Sequence, residues 1–346
     1  MTDQPLTDAA DTPARAALPD PAPPLRVGVI GTGGISRAHA PGWLGTGAEL
    51  HAFSLEGASA FAEEFGAILH DTLEELLEAV DAVDVCTPTP SHPALVHAAL
   101  DAGKDVVCEK PLALTEQECQ GMIERAREVG RHLFPAHVVR FFPQYAAARR
   151  ALDSGDLGQL GVLRFERTGA MPTQPWFADE SQSGGIVMDQ MIHDIDQAVW
   201  HAGAVSSVYA RQHATEGAGE IRTAHVVLTH VGGAISHCRG LWGPAGTQFR
   251  YTFSLAGDRG RLDYDSARNT GVSWDEVASA AQASGDGFLP DISGMPSPYA
   301  LEIREFTDVL RGRAPAARVA AEDGAYAVRV SRAAMESLAT GRRIAC

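Results

Sequence analysis

A doubly wound α/β domain followed by an α+β domain is the architecture that this 346-residue chain predicts. Three observations point there. Leu25, Val27, Val29 and Ile30 form a short, mostly β-branched apolar run that passes straight into Gly31-Thr32-Gly33-Gly34-Ile35-Ser36 and a helix-compatible stretch; such a run marks a strand buried on both faces of a parallel sheet. Strand-like and helix-like segments then alternate to about residue 137, the spacing of βαβ units. Beyond residue 145 the strands lengthen, and Phe249, Tyr251, Phe253 and Leu255 alternate with Arg250, Thr252 and Ser254. That alternation belongs to an antiparallel sheet with one covered face.

In chain order, residues 1–24 are rich in Pro, Ala and Asp and nearly free of large apolar groups, so they are expected to remain a flexible tail. The glycine turn needs one residue for its tight backbone angles and another that lets the main chain approach a pyrophosphate. The unpaired N–H groups of the following helix would hold the phosphate charge. Dinucleotide binding is therefore expected at Gly31, Thr32, Gly33, Gly34 and Ile35, with Ser36 as the third small residue. Pro41 predicts a kinked or short helix. A strand at 49–53, helices at 57–65 and 72–79, and a strand at 82–86 ending in Thr87-Pro88-Thr89-Pro90-Ser91-His92 come next. A helix at 93–102, a strand at 105–108 ending in Glu109-Lys110-Pro111, a helix at 115–129 and a strand at 132–136 complete the first domain, 25–145. Ligands of such sheets sit outside the carboxyl ends of the strands, which selects the loops 31–36, 87–92 and 109–111. The second domain, 146–346, opens near a helix at 144–153. It continues with strands at 162–169, 206–213, 223–231, 234–242, 249–255 and 261–265, and a single helical insert at 186–201. A Gly/Pro-rich loop at 284–297 and helices at 299–311 and 320–338 close the chain.

Composition bounds the function. There are 28 basic against 44 acidic side chains, a formal charge of −16, and an acidic surface repels nucleic-acid backbones. No apolar run approaches the roughly 20 residues of a membrane span. Neither an apolar leader core nor an Arg pair marks the N-terminus. The five cysteines follow no CxxC spacing; reduced thiols in a cytoplasmic protein and no structural zinc are expected.

Two centres carry chemistry. Lys110, at a strand end beside the cofactor loops, is placed to polarise a substrate oxygen, with Glu109 keeping it charged; the Lys110–Pro111 bond is a candidate cis peptide that would fix its aim. The second is Gly184–Asp196, GGIVMDQMIHDID. On one continuous helix Asp189, His193 and Asp196 share a face, and a carboxylate one turn from an imidazole suits general-base work. A metal held by the Asp-x3-His pair and a solvated charged face stay open as alternatives, although HExxH and clustered Cys are lacking. His92 is placed to line the cofactor cleft, Trp176 to wall the substrate pocket and Arg140 to face it. His39 is expected to be a structural or surface residue.

The GTGGIS turn, Thr87-Pro88 with His92, Glu109-Lys110-Pro111 and the GGIVMDQMIHDID helix, in that order, resemble the glucose–fructose oxidoreductase/inositol dehydrogenase/MocA family from residue 25 to the closing TGRRI. The resemblance implies an oxidoreductase that uses NAD or NADP on a sugar, cyclitol or related polyol. It implies Lys110, Asp189 and His193 as the catalytic group: His193 takes the hydroxyl proton, Asp189 holds substrate or imidazole, and Lys110 steadies the oxygen. Homodimers or homotetramers built through the second sheet are implied as well. The chain departs from the family where an acidic residue usually meets the ribose hydroxyls; Phe53-Ser54-Leu55-Glu56 stands there, with Ser54 as a neutral hydroxyl. A glycosidase that uses NAD for transient oxidation and a dinucleotide-bound regulatory protein are the alternatives.

Overall fold

A computed structural model describes residues 23–215, 220–267 and 297–346. The expected tail, but for residues 23 and 24, and the loop at 284–297, but for Ser297, lie outside the described residues.

Six parallel strands, β1 (Arg26–Ile30), β2 (Glu49–Phe53), β3 (Ile68–Leu69), β4 (Ala82–Val85), β5 (Asp105–Glu109) and β6 (Leu133–Ala136), form the first sheet in the order β3-β2-β1-β4-β5-β6. The order reverses between β1 and β4, and the crevice above such a switch point is where doubly wound sheets bind ligands. Helices α1 (Gly34–Gly45), α2 (Ala58–Phe65), α3 (Leu73–Ala79), α4 (His92–Asp101) and α5 (Glu116–Val129) connect the strands. Local chemistry sets their ends: Thr115 and Glu118 cap α5 reciprocally, satisfying two donors that a helix start leaves open. Pro41 neither breaks nor shortens α1 at its own position, since the helix runs on to Gly45.

The second sheet is built from β7 (Leu160–Ala170), β8 (Val205–Ala214), β9 (Arg222–His230), β10 (Ile235–Gly243), β11 (Arg250–Gly257), β12 (Arg261–Asp265) and β13 (Ile344–Ala345), in the order β12-β11-β7-β10-β9-β8-β13. All its pairs are antiparallel except β7 with β10. A turn of 3₁₀ helix, Val138–Phe141, and α6 (Pro143–Asp153) lead into it from the first sheet.

The helical insert departs from expectation. Two helices replace the one expected at 186–201, α9 (Gly185–Asp189) and α10 (Ile192–Ala202), and two single-turn helices precede them, α7 (Pro175–Ala178) and α8 (Glu180–Ser183). Gly184 and Gly185 adopt positive φ, and a Cβ on Gly184 would stand 2.4 Å from Met188 Cβ, so the chain bends there. Between α9 and α10, Gln190 donates to Arg167 O at 2.9 Å and Met191 is fully buried against Gly240. Both anchors hold the break on the second sheet.

The closing helices, α11 (Pro298–Leu310) and α12 (Ala321–Thr340), do not stay with the second sheet. Ile303, Phe306 and Val309 join the core of Val27, Trp43 and Phe134, and Phe306 stacks on Phe134 at 4.7 Å. In α12, Ala325 and Val328 pack with the first sheet while Val330 and Ala334 pack with the second. The division at 145 separates the sheets, but not the packing. Among the described residues no helix is long and apolar enough to cross a membrane.

Candidate active site

The glycine turn opens the cofactor side. Gly31 has φ +90, and a Cβ there would meet Thr87 Cγ2 at 2.7 Å, so the turn and the 87–92 loop touch at the switch point. At Gly33 and Gly34 nothing lies within 4 Å of a Cβ position. The start of α1 has no side-chain cap, leaving its first N–H groups for an anion. Open space beside uncapped helix donors fits a pyrophosphate. Ser36 is fully buried and its hydroxyl donates to Gly33 O at 2.7 Å. The Thr32 N–H donates to Ser54 Oγ at 3.4 Å and the Thr32 hydroxyl to Glu56 O at 2.9 Å, so Ser54 abuts the turn. Thr87 is half-buried and Pro88 exposed at the neighbouring loop.

His92 behaves otherwise than expected. It is 1 % exposed, with Nδ1 2.9 Å from Pro111 O and Nε2 2.8 Å from Thr87 O. Its ring is spent on the main chain, tying the 87–92 loop to the 109–111 loop instead of facing the cleft.

The carboxyl end of β5 supplies Glu109 and Lys110, and the Lys110–Pro111 peptide is cis. Glu109 Oε2 accepts the Lys110 main-chain N–H at 2.9 Å. Lys110 Nζ donates to Asp189 O at 3.0 Å and lies 3.3 Å from Asp189 Oδ1. A lysine from the first sheet and an aspartate from α9 therefore meet across the two halves of the chain. Burial raises the Asp189 carboxyl above its ordinary range, and the Lys110 charge opposes that push.

Lys110 and His193 line one pocket, together with Ile35 beside the glycine turn, Glu109, Val138, Val139, Phe142, Arg167, Gln190, Phe249 and Tyr299. Burial first, then the charges of Lys110 and Arg167, hold His193 well below the ordinary histidine range. At neutral pH it is an uncharged ring, and its Nδ1 has no hydrogen-bond partner among the described residues. An unprotonated imidazole beside an ammonium can accept a proton as negative charge on oxygen is steadied.

The shared face of Asp189, His193 and Asp196 does not form. The break at Gln190 directs Asp189 to Lys110, while Asp196 bonds Arg140, with Nη2 to Oδ1 at 2.6 Å and Nε to Oδ2 at 2.9 Å. Arg140 also reaches Asp323 at 3.0 Å. At 2 % exposure this guanidinium braces α10 and the start of α12 and is not among the residues that line the pocket. Trp176 stacks on Phe177 at 3.8 Å and is not among the residues that line the pocket.

Arg167, Phe249 and Tyr299 also line the pocket, and sequence reasoning misses all three. Arg167 pairs with Asp194 at 2.9 Å, and the sequence hints at it only through an acid directly after His193. Tyr299 comes from α11, more than 180 residues beyond Lys110, a separation no local pattern reports. Among the described residues one trio, His39, Asp84 and Cys86, has atoms close enough for a metal; its polar atoms already bond one another.

A glycine turn at a switch point and a lysine–imidazole pocket beside it define a dinucleotide-binding oxidoreductase. Residues 25–137 match the family model described as "Oxidoreductase family, NAD-binding Rossmann fold", and residues 145–263 match the "GFO/IDH/MocA C-terminal domain". The chain belongs to this Gfo/Idh/MocA family of NAD(P)-dependent oxidoreductases. It is 31% identical over 338 residues to the myo-inositol 2-dehydrogenase of Thermotoga maritima, covering 92% of this chain and 98% of that one. It is 28% identical over 342 residues to the inositol 2-dehydrogenase of Rhizobium meliloti, at 92% and 98% coverage. Among solved structures, a probable dehydrogenase from Thermotoga maritima superposes with a TM-score of 0.78 at 27% identity, covering 93% of this chain and 98% of that one. GenD2 from gentamicin A biosynthesis, solved with NAD, superposes at 0.81 with 24% identity over 94% and 97%; that likeness concerns the fold.

Proposed function

We propose that the chain oxidises a secondary alcohol of a cyclitol, sugar or related polyol, or reduces the corresponding ketone. The observation that carries this reading is that Lys110 and the uncharged His193 line one pocket beside the glycine turn, with Asp189 bonded to the lysine. Bound NAD or NADP supplies the hydride chemistry. Gly31, Thr32, Gly33, Gly34 and Ile35 would hold its phosphates, Ser54 would meet the ribose, and Thr87, Pro88 and Glu109 would edge its nicotinamide half. His193 takes the hydroxyl proton as the carbinol is oxidised, and returns it in the reverse direction. Lys110 steadies the oxygen while it carries negative charge, and Asp189 holds the ammonium in place. Inositol dehydrogenases among the relatives favour a cyclitol over an acyclic polyol.

The test is a panel of inositols, aldoses and their lactones with each nicotinamide cofactor, followed at the absorbance of the reduced form. Turnover with at least one cyclitol or sugar is expected. Release of nitrophenol from aryl glycosides without net reduced cofactor would replace the reading with a hydrolytic one. We further infer a homodimer or homotetramer in the cytoplasm: Tyr209 and Ile235 are exposed on the second sheet, and the five cysteines are free thiols, four of them buried. A monomer by light scattering at micromolar concentration would overturn the assembly.

A further inference from the structure

Beneath Glu109 lies a buried polar cluster that the proposed reaction does not use. His39 and Trp43 come from α1, Asp84 and Cys86 from the end of β4, and Tyr299 and Glu302 from α11; none is more than 7 % exposed. His39 Nδ1 is 2.9 Å from Asp84 Oδ2 and 3.2 Å from Oδ1, while Nε2 is 3.1 Å from Glu109 Oε1. Trp43 Nε1 donates to Asp84 Oδ2 at 2.7 Å, and the Cys86 thiol reaches Asp84 Oδ1 at 3.4 Å. Tyr299 stands 5.7 Å from His39, ring to ring.

A neutral imidazole has one N–H, and here both nitrogens face a carboxyl group. Serving both takes two N–H groups. Burial alone would lower the ring's affinity for the second proton, but the adjoining Asp84 wins and raises it well above the ordinary histidine range. Glu302, fully buried with no hydrogen bond to either oxygen among the described residues, is pushed well above the carboxylate range by burial.

Glu109 is thereby held at both oxygens, by the His39 ring on Oε1 and by the Lys110 main-chain N–H on Oε2. Its side chain also lines the pocket next to Lys110 and His193. We propose that His39 is a positioning residue for the reaction: a doubly protonated ring that ties Asp84 to Glu109, fixes Glu109 on the Lys110 main chain, and so sets where the Lys110 ammonium stands. The inference rests on the role given to Lys110 under the proposed function. Without the ring's Nε2–H, Glu109 Oε1 loses its donor and the carboxylate is free to turn, taking the Lys110 backbone with it. An error of about 1 Å in a reacting group costs up to about a hundredfold in rate.

The first measurement needs no substrate. Assigned ring ¹⁵N and ¹³C shifts of His39 in the full-length protein are expected to report two N–H groups at pH 7; a neutral ring there overturns the proposal. The second is kinetic, with the substrate that the panel identifies. His39→Gln removes the charge and leaves one amide that cannot bond Asp84 and Glu109 together as the two ring nitrogens do, so the tie between them is lost; kcat is expected to fall about tenfold to a hundredfold, with the cofactor KM changed less than about twofold. In the parent, kcat is expected to fall at alkaline pH as the His39 ring loses its second proton, and His39→Gln is expected to lack that fall. Trp43→Phe removes a different donor to Asp84 and leaves the His39–Glu109 link, so its kcat is expected to stay close to that of the parent. Equal losses in both variants would show general damage to the cluster and overturn the proposal. If His39→Gln does not fold, His39→Asn and the ring titration carry the decision. Turnover retained by Lys110→Ala would sink the reading on which this rests; loss there, with parental kcat and pH profile in His39→Gln, overturns this inference alone.

Discussion

Replacing Lys110 by Met keeps the length of the side chain and removes its charge, and the surroundings of Asp189 set the cost. Nζ lies 3.0 Å from Asp189 O and 3.3 Å from Asp189 Oδ1, in a pair whose side chains are 10% and 3% exposed. Stripping one partner from a buried pair costs about 3–5 kcal/mol when the remaining charge cannot escape. Asp189 has an escape, because burial already raises its pKa, and without Lys110 it takes up a proton. The loss is therefore expected nearer about 2–3 kcal/mol. It also depends on pH. A carboxyl whose folded pKa lies above its unfolded value costs nothing at low pH and destabilises as pH rises through the folded value. Lys110→Met is thus expected to lose more stability at pH 8 than at pH 5 by urea or thermal unfolding. Lys110→Met/Asp189→Asn should regain most of the stability, since the buried charge is gone. Turnover should not return: a missing electrostatic donor at the reacting oxygen costs about 10²–10³ in kcat, and the double variant still lacks it. Cofactor binding, followed by fluorescence of the reduced nucleotide, should persist in both. Turnover within tenfold of the parent in either variant would refute the role assigned to the lysine.

Other consequences are as definite. His193→Asn is expected to lower kcat about 10²–10⁴-fold; because the parent ring is held well below the ordinary histidine range, parental activity should stay level through neutral pH and fall only at acid pH, below that range, a limb the variant lacks. Gly34→Ala meets open space but fills the phosphate approach, so cofactor affinity should drop at least about tenfold, roughly 1.4 kcal/mol, with little change in Tm. Gly31→Ala, at φ +90 and 2.7 Å from Thr87 Cγ2, should instead lower Tm by calorimetry as well as affinity. Arg140→Ala is expected to destabilise by about 3–5 kcal/mol, because the buried Asp196 loses its guanidinium and keeps the Gln197 amide at 3.4 Å in place of a cation; a raised substrate KM at unchanged Tm would return Arg140 to the pocket.

Much of the arrangement was local and therefore legible. Buried parallel strands are written as short β-branched runs, the glycine turn as its own spacing, and the loop that carries Lys110 as the end of such a strand, because each depends on a few adjacent residues. The pairing of Asp189 was not legible in the same way. A helical period across 189–196 presumes an unbroken helix, and the break is imposed by Gln190 and Met191 docking on β7 and β10, strands that the helical pattern cannot contain. Chain position puts His92 and Arg140 at the ends of first-sheet strands, but burial gives their polar atoms to the main chain and to Asp196. A polar side chain removed from water takes the partner at hand, and sequence order does not say which partner that is.

By itself, then, the order of residues determined the two sheets, the cofactor turn and the presence of a lysine, an aspartate and a histidine suited to redox chemistry on an alcohol. Only the tertiary structure decided that Asp189 bonds the lysine, that α11 returns to the first sheet to bring Tyr299 to the pocket, and that His39 sits between two acids. Those outcomes depend on contacts between segments tens to hundreds of residues apart, where burial and charge pairing in the folded chain choose among partners that local periodicity leaves equivalent.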